Sequence, residues 1–152
     1  MTGPSGPKIG ECATWLSIVS QLYTTRMNAL LAPHDLTLAQ FGILHHIVRP
    51  ENSGGSRISD IAAAVEVGQP AVTKAIAKFR TLGLVVLDES PGDKRSRIVR
   101  PTPLANQRLT EIRKSIGPDL GQMFGAMDQA DFAIFAKSLK RLGMWLDQNR
   151  LP

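Results

Sequence analysis

The sequence predicts a mainly α-helical chain with a small β wing, and three observations carry that prediction. Apolar residues recur at steps of three and four along most of the 152 residues, the period of amphipathic helices. Between residues 58 and 100 the pattern tightens into two short helical stretches, a sharp turn and a β-favouring hairpin rich in Lys and Arg. Helical stretches at both ends carry apolar stripes that this central lobe is too small to cover. The expected architecture is a winged helix-turn-helix lobe flanked by N- and C-terminal dimerisation helices.

A chain of this length falls within the range of one compact domain and can bury a real core. Hydrophobic residues at 43% and charged residues at 20% are ordinary globular proportions, which argues against a disordered or fibrous protein. No apolar run reaches the roughly 20 residues needed to cross a bilayer, and the opening MTGPSGPKIG has no apolar signal core. A cytoplasmic address with no membrane partner is therefore expected. Cys12 is the single cysteine, which excludes an internal disulfide and a thiolate metal cluster. The net charge of +5 favours an acidic partner such as nucleic acid, and its placement is more telling. Residues 69–100 carry seven bases against three acids, while residues 1–68 carry four against five.

Taken in order, residues 1–8 bury nothing and are expected to form a flexible tail. A first helix begins near Ile9 or Gly10, with Cys12, Leu16, Val19, Tyr23, Met27 and Leu30 along one stripe, and Pro33 ends it. Thr37 caps the next helix, with Gln40 three residues on as capping-box partner and Leu36 and Phe41 at staple spacing, giving a helix from Leu38 to about Val48. Pro50 and the glycines at 54 and 55 break the chain before Ile58, which is expected in a short strand. Ser59 is the expected cap of a third helix with Ile61, Ala62 and Val65 inward, and Ala63 and Ala64 allow close packing. Val67 and Gly68 make the turn, and Gln69 and Pro70 open a fourth helix, where a first-turn proline loses no helical hydrogen bond. Val72, Ala75, Ile76, Phe79 and Gly83 share its core side; Pro70, Thr73, Lys74, Ala77, Lys78 and Thr81 share the other.

Leu84 to Glu89 and Arg97 to Arg100 favour strands around a turn at Pro91, Gly92 and Asp93. A long helical stretch follows from Leu104 or Ala105 through Leu109, Ile112, Ile116, Leu120, Met123 and Met127, with Gly117 and Pro118 expected to kink or split it. Asp128 and Asp131 start a last helix striped by Phe132, Phe135, Leu139, Leu142 and Leu146.

In a helix-turn-helix the second helix lies in the DNA major groove, whose edge pattern distinguishes all four base pairs. Gln69, Pro70, Ala71, Thr73 and Lys74 stand at its start, with Gln69 suited to an adenine contact and Lys78 placed to meet phosphate. In the wing, Asp93, Lys94, Arg95 and Arg97 suit a flanking minor groove, whose negative potential attracts arginine, with Asp93 expected to hold the Arg95 or Arg97 guanidinium. The plainer alternatives are a solvated helix face and an aspartate chosen for turn geometry.

On these residues the segment from Thr37 to Thr102 resembles the MarR family of bacterial transcriptional regulators, and the flanking helices fit the same plan over nearly the whole chain. The resemblance rests on LTLAQFGILHHI, on IAAAVEVGQPAVTKAIAKFRTLGLV and on the wing DKRSRIVRPT. The wing is similar to the family's Asp-x-Arg signature followed by alternating apolar residues and Leu-Thr-Pro, with Pro101 standing where the family has leucine. The resemblance implies Arg95 in the minor groove with Asp93 orienting it. It also implies a homodimer built from residues 9–36 and 103–150, with residues 37–102 as the DNA-binding region on double-stranded DNA. A pseudo-palindromic operator and release by a small phenolic or aromatic ligand belong to the same plan, with repression as the expected sign.

Trp15, Met27, His34, Phe41 and His45 are the candidate lining of a ligand pocket, with core packing as the alternative for each. Cys12, early in the first helix, resembles the peroxide-sensing cysteine of one family branch; Tyr23, the only tyrosine, lies three turns away, and apolar packing is the competing role. His45 and His46 are adjacent and point apart on a helix, so no metal site and no cofactor are expected. No nucleophile triad, phosphate loop or close carboxylate pair gives an enzyme reading a footing. The rival to a DNA-binding regulator is a winged-helix module that docks a protein partner.

Overall fold

The computed structural model describes residue 3 and residues 6–152, with Lys94 described in its backbone only. Six α-helices and one three-stranded antiparallel sheet make up these residues, in the expected mainly α class with a β wing. The helices are α1 (Pro7–Leu31), α2 (Leu38–Ile47), α3 (Ile58–Val65), α4 (Gln69–Thr81), α5 (Pro103–Phe124) and α6 (Gln129–Gln148). The strands β1 (Ser56–Arg57), β2 (Val85–Ser90) and β3 (Asp93–Pro101) lie in the order β1-β3-β2.

The helix α1 starts at Pro7 rather than Ile9, because a proline in the first turn comes with its φ already helical. Pro7 and Lys8 therefore leave the expected tail, and residues 1, 2, 4 and 5 of that tail lie outside the described residues. Met27 and Leu31 are the buried residues of α1, so Leu31 anchors its end in place of Leu30. A short 3-10 turn, Ala32–His34, carries the chain to Asp35, whose left-handed backbone reverses direction before α2. There Thr37 and Gln40 form the expected capping box: Gln40 N–H donates to Thr37 Oγ1 at 3.2 Å, and Thr37 N–H donates to Gln40 Oε1 at 3.2 Å.

Three local expectations around α3 need correction. Ile58 opens the helix, and the short strand is Ser56–Arg57, pairing with Val99 and Ile98 of β3. Arg57, still extended, is the N-cap and makes no side-chain cap, because Ser59 already stands inside the first turn, past the position from which a hydroxyl can accept. Ala63 and Ala64 are exposed, since the helical period turns them away from Ile61 and Ala62, the buried pair. Gly55 is required where the chain enters β1: its φ is +96°, and a Cβ there would stand 2.3 Å from Ile98 Cγ2.

Gly83 does not share the core side of α4; it closes the helix, at φ +72°. Gly83 N–H donates to the Arg80 carbonyl and Leu84 N–H to the Phe79 carbonyl, and this paired closure turns the chain straight into β2. The wing strands pair from Val85↔Pro101 to Glu89↔Arg97. Pro101 thus keeps its place in the register, and Thr102 secures the strand end by donating its N–H to the Leu84 carbonyl and its hydroxyl to the Gly83 carbonyl.

The helix α5 runs through Gly117 and Pro118 without splitting. Pro118 removes one backbone donor, and the remaining ladder carries the helix past it. Met127 lies beyond its end, in the turn before Asp128, which caps α6 by accepting from Asp131 N–H at 2.8 Å. The chain falls into two compact units, Met1–Arg113 and Lys114–Pro152, so α1 and the first half of α5 group with the winged lobe. That grouping differs from the partition expected at residues 36/37 and 102/103. Its reason lies in burial: Met27, Leu31, Ala105, Leu109 and Ile112 belong to the core of the first unit.

Candidate nucleic-acid interface

The second helix of the helix-turn-helix is placed by its apolar side. Val72, Ala75, Ile76 and Phe79 are at most 1% exposed, and this orients the opposite side to solvent. Gln69, Pro70, Ala71, Thr73 and Lys74 are all exposed, as the helical period requires. The turn before it forms because Glu66 adopts a left-handed backbone at φ 52°, and Val67 N–H donates back to the Ala62 carbonyl at 3.2 Å.

Lys78 sits differently from the other candidates. Its ammonium pairs with Asp35 Oδ2 at 3.1 Å and donates to the Asp35 carbonyl, tying α4 to the turn ahead of α2. The pair directs the ammonium toward the turn ahead of α2, though an exposed ion pair of this kind is worth only about 0–1 kcal/mol.

The wing also sorts its arginines. Arg97 pairs across the strands with Glu89 Oε1 at 3.5 Å, and Arg100 pairs with Asp88 Oδ2 at 2.6 Å. The expected pairing of Asp93 with the Arg95 or Arg97 guanidinium is not what forms. Asp93 Oδ1 accepts the backbone N–H of Arg95 at 2.9 Å. A short carboxylate reaches the amide two residues on more readily than a distant guanidinium, so Asp93 shapes the backbone from which Arg95 projects. Between Glu89↔Arg97 and Ser90↔Asp93 the register shifts, and Lys94, Arg95 and Ser96 fill the excursion. Arg95 is exposed there and meets no carboxylate among the described residues. The Lys94 side chain lies outside the described residues.

Between α4 and the wing runs an open groove of about 480 Å³. Thr73, Ile76, Ala77, Arg80 and Thr81 of α4 form one wall, and Ile58 and Leu87 complete it. Arg80 was not among the residues the sequence suggested. The signal was its spacing: it lies seven residues, two helical turns, after Thr73 and so on the same flank.

None of the five candidate ligand residues lines this groove. Trp15 is 58% exposed, Met27 is a core residue, and His34, Phe41 and His45 are half-buried. Phe41 stacks on His45, with ring centroids 6.4 Å apart. Burial pushes the His45 pKa down, and the positive charges of Arg113, Arg49 and His46 push the same way. His46 is lowered by burial and by Arg49, against an opposing pull from Glu51. Asn52 Nδ2 stands 3.4 Å from His46 Nε2 and donates to the His46 carbonyl at 2.7 Å. The two histidines thus face different neighbours, and among the described residues no group of three His, Cys, Asp or Glu side chains is placed to hold a metal. Cys12 is exposed, which removes buried apolar packing as its role within the single chain.

Comparison with known proteins follows the same lines. The model of the MarR family matches residues 34–96. A protein of Thauera aromatica, named as a transcriptional regulatory protein for the hcr operon, is 27% identical over 115 residues, covering 76% of this chain and 68% of that one. A MarR family transcriptional regulator from Rhodococcus sp. RHA1 superposes with a TM-score of 0.75 at 17% identity, over 91% of this chain and 96% of that one. A cysteine-to-serine mutant of MarR from E. coli, solved in complex with operator DNA, superposes with a TM-score of 0.70 at 22% identity, over 91% and 99%. The chain thus shares the fold of MarR winged-helix structures over nearly its whole length, and its residues 34–96 are similar to the MarR family of transcriptional regulators.

Proposed function

We propose that this chain is a transcriptional regulator of the MarR family and acts as a homodimeric repressor on a pseudo-palindromic operator. Gln69, Thr73 and Lys74 of α4 address the major groove and Arg95 of the wing addresses the minor groove. The observation that carries this reading is the sorting of positive charge. Lys78, Arg97 and Arg100 are each paired with a carboxylate, of Asp35, Glu89 and Asp88. Lys74 and Arg95 are exposed at the two places where a winged helix-turn-helix meets base edges. The dimer is supported by the apolar stripes left open on the terminal helices: Leu16 and Val19 on α1, and Phe132, Phe135, Leu139 and Leu142 on α6. A cytoplasmic site of action completes the reading. For a small aromatic ligand as releasing signal, the half-buried and stacked Phe41–His45 pair supplies the aromatic surface.

The test is a titration against the DNA upstream of the protein's own gene at several salt concentrations, with footprinting. Counterion release makes affinity fall steeply with salt, and two protected half-sites roughly 34 Å apart are expected. Arg95→Ala is expected to cost about 1–3 kcal/mol of binding and to relax sequence preference beside the recognition helix. Salt-independent binding would instead mark the lobe as a protein-docking module.

A further inference from the structure

The groove between α4 and β2 carries a cation beside the proposed DNA face. It is open to solvent, Ile58, Ile76 and Leu87 make its lining largely apolar, and a small molecule would find few converging polar groups to fix its orientation. Its one cation is Arg80, exposed at the rim and without a carboxylate partner among the described residues. Thr81 spends its hydroxyl proton on the Ala77 carbonyl at 3.1 Å, so Arg80 and the Thr73 hydroxyl are the side-chain donors the lining offers an acidic oxygen, and Arg80 alone is charged. The groove is also continuous with the proposed DNA face, because Thr73 belongs to both.

We propose that Arg80 holds a backbone phosphate of the DNA strand that passes between the recognition helix and the wing. It fills the role that sequence spacing suggested for Lys78. The proposal rests on the DNA-binding reading above and adds a residue to it. A strand leaving the major groove beside α4 on its way to a minor groove reached by the wing must cross the gap between the two. A guanidinium donates to phosphate through paired N–H groups, so one side chain at the rim is enough to register the strand without reading its bases.

Arg80 also lies in the last turn of α4, where a cation complements the helix dipole. That role predicts a lower melting temperature with no change in the salt dependence of DNA binding. The experiment compares the full-length wild type, Arg80→Gln and Arg80→Lys on two probes: the protein's own upstream duplex and a random-sequence duplex of equal length. For Arg80→Gln, affinity for both duplexes is expected to fall by a similar factor, on the order of tenfold, and the slope of log affinity against log salt by about one for each bound protomer. Arg80→Lys is expected to restore most of the slope. An unchanged slope in Arg80→Gln overturns the proposal, whether or not melting shifts. A loss confined to the upstream duplex also overturns it, by assigning Arg80 to base reading. If the wild type itself shows no salt-dependent binding to either probe, the DNA-binding reading falls and the proposal falls with it.

Discussion

The helices α4 and α6 carry apolar stripes of the same period and end in opposite conditions. In α4, Val72, Ala75, Ile76 and Phe79 are sealed inside the winged lobe; in α6, Phe132, Phe135, Leu139 and Leu142 remain 38–47% exposed. An amphipathic pattern states which side of a helix needs covering, and says nothing of what covers it. For α4 the cover comes from the same chain. For α6, a second copy of the chain is the proposed cover, joined by the open part of α1.

The largest effect expected from breaking this contrast is on the α6 side. Deleting the chain from Phe132 onward is expected to abolish both self-association and binding to the upstream DNA. Sedimentation that still shows a dimer would contradict the assignment of these stripes. On the α4 side, Phe79→Ala removes a ring with no exposed surface, so a loss of about 3–5 kcal/mol is expected from equilibrium denaturation. A loss below about 1 kcal/mol would mean that the lobe is less tightly packed around α4 than the burial of Phe79 implies.

A smaller effect probes the half-buried zone between these extremes. The His45 and His46 pKa values are lowered in the folded chain, mainly by burial, so the folded state prefers neutral rings. Stability contributed by neutrality is intact above the ordinary histidine value of 6.5 and declines as pH falls below it toward the folded values, because the unfolded chain takes up the protons first. His45→Gln is expected to flatten this decline. Thermal melts across pH check it, and a melting temperature that rises as the solution is acidified would contradict the direction of the shift.

Much of the fold could be read directly because the relevant interactions are local. The Thr37–Gln40 capping box, the Asp128–Asp131 cap and the proline at the start of α4 each depend on residues within one helical turn. Ser59 shows the limit: its type suits a cap, but the pairing of Arg57 with Ile98 sets where extension stops and the helix starts. The candidate site was legible as a set of positions and less so as a set of roles. Exposure of Gln69, Thr73 and Lys74 follows from helical period alone. The condition of Lys78 depends on Asp35, distant in sequence, and that of Arg97 depends on Glu89 across the hairpin.

By itself, then, the sequence determined the order and type of the elements, the concentration of basic charge in residues 69–100, and the sides of the helices that seek cover. Period, caps and turn residues act over a few positions and are written in neighbouring letters. Only the tertiary structure decided which of those bases remain uncompensated, because ion pairing depends on distance in space. It joined Asp35 to Lys78, turned Asp93 toward an amide instead of a guanidinium, and brought Arg80 to the rim of a groove whose far wall is a strand.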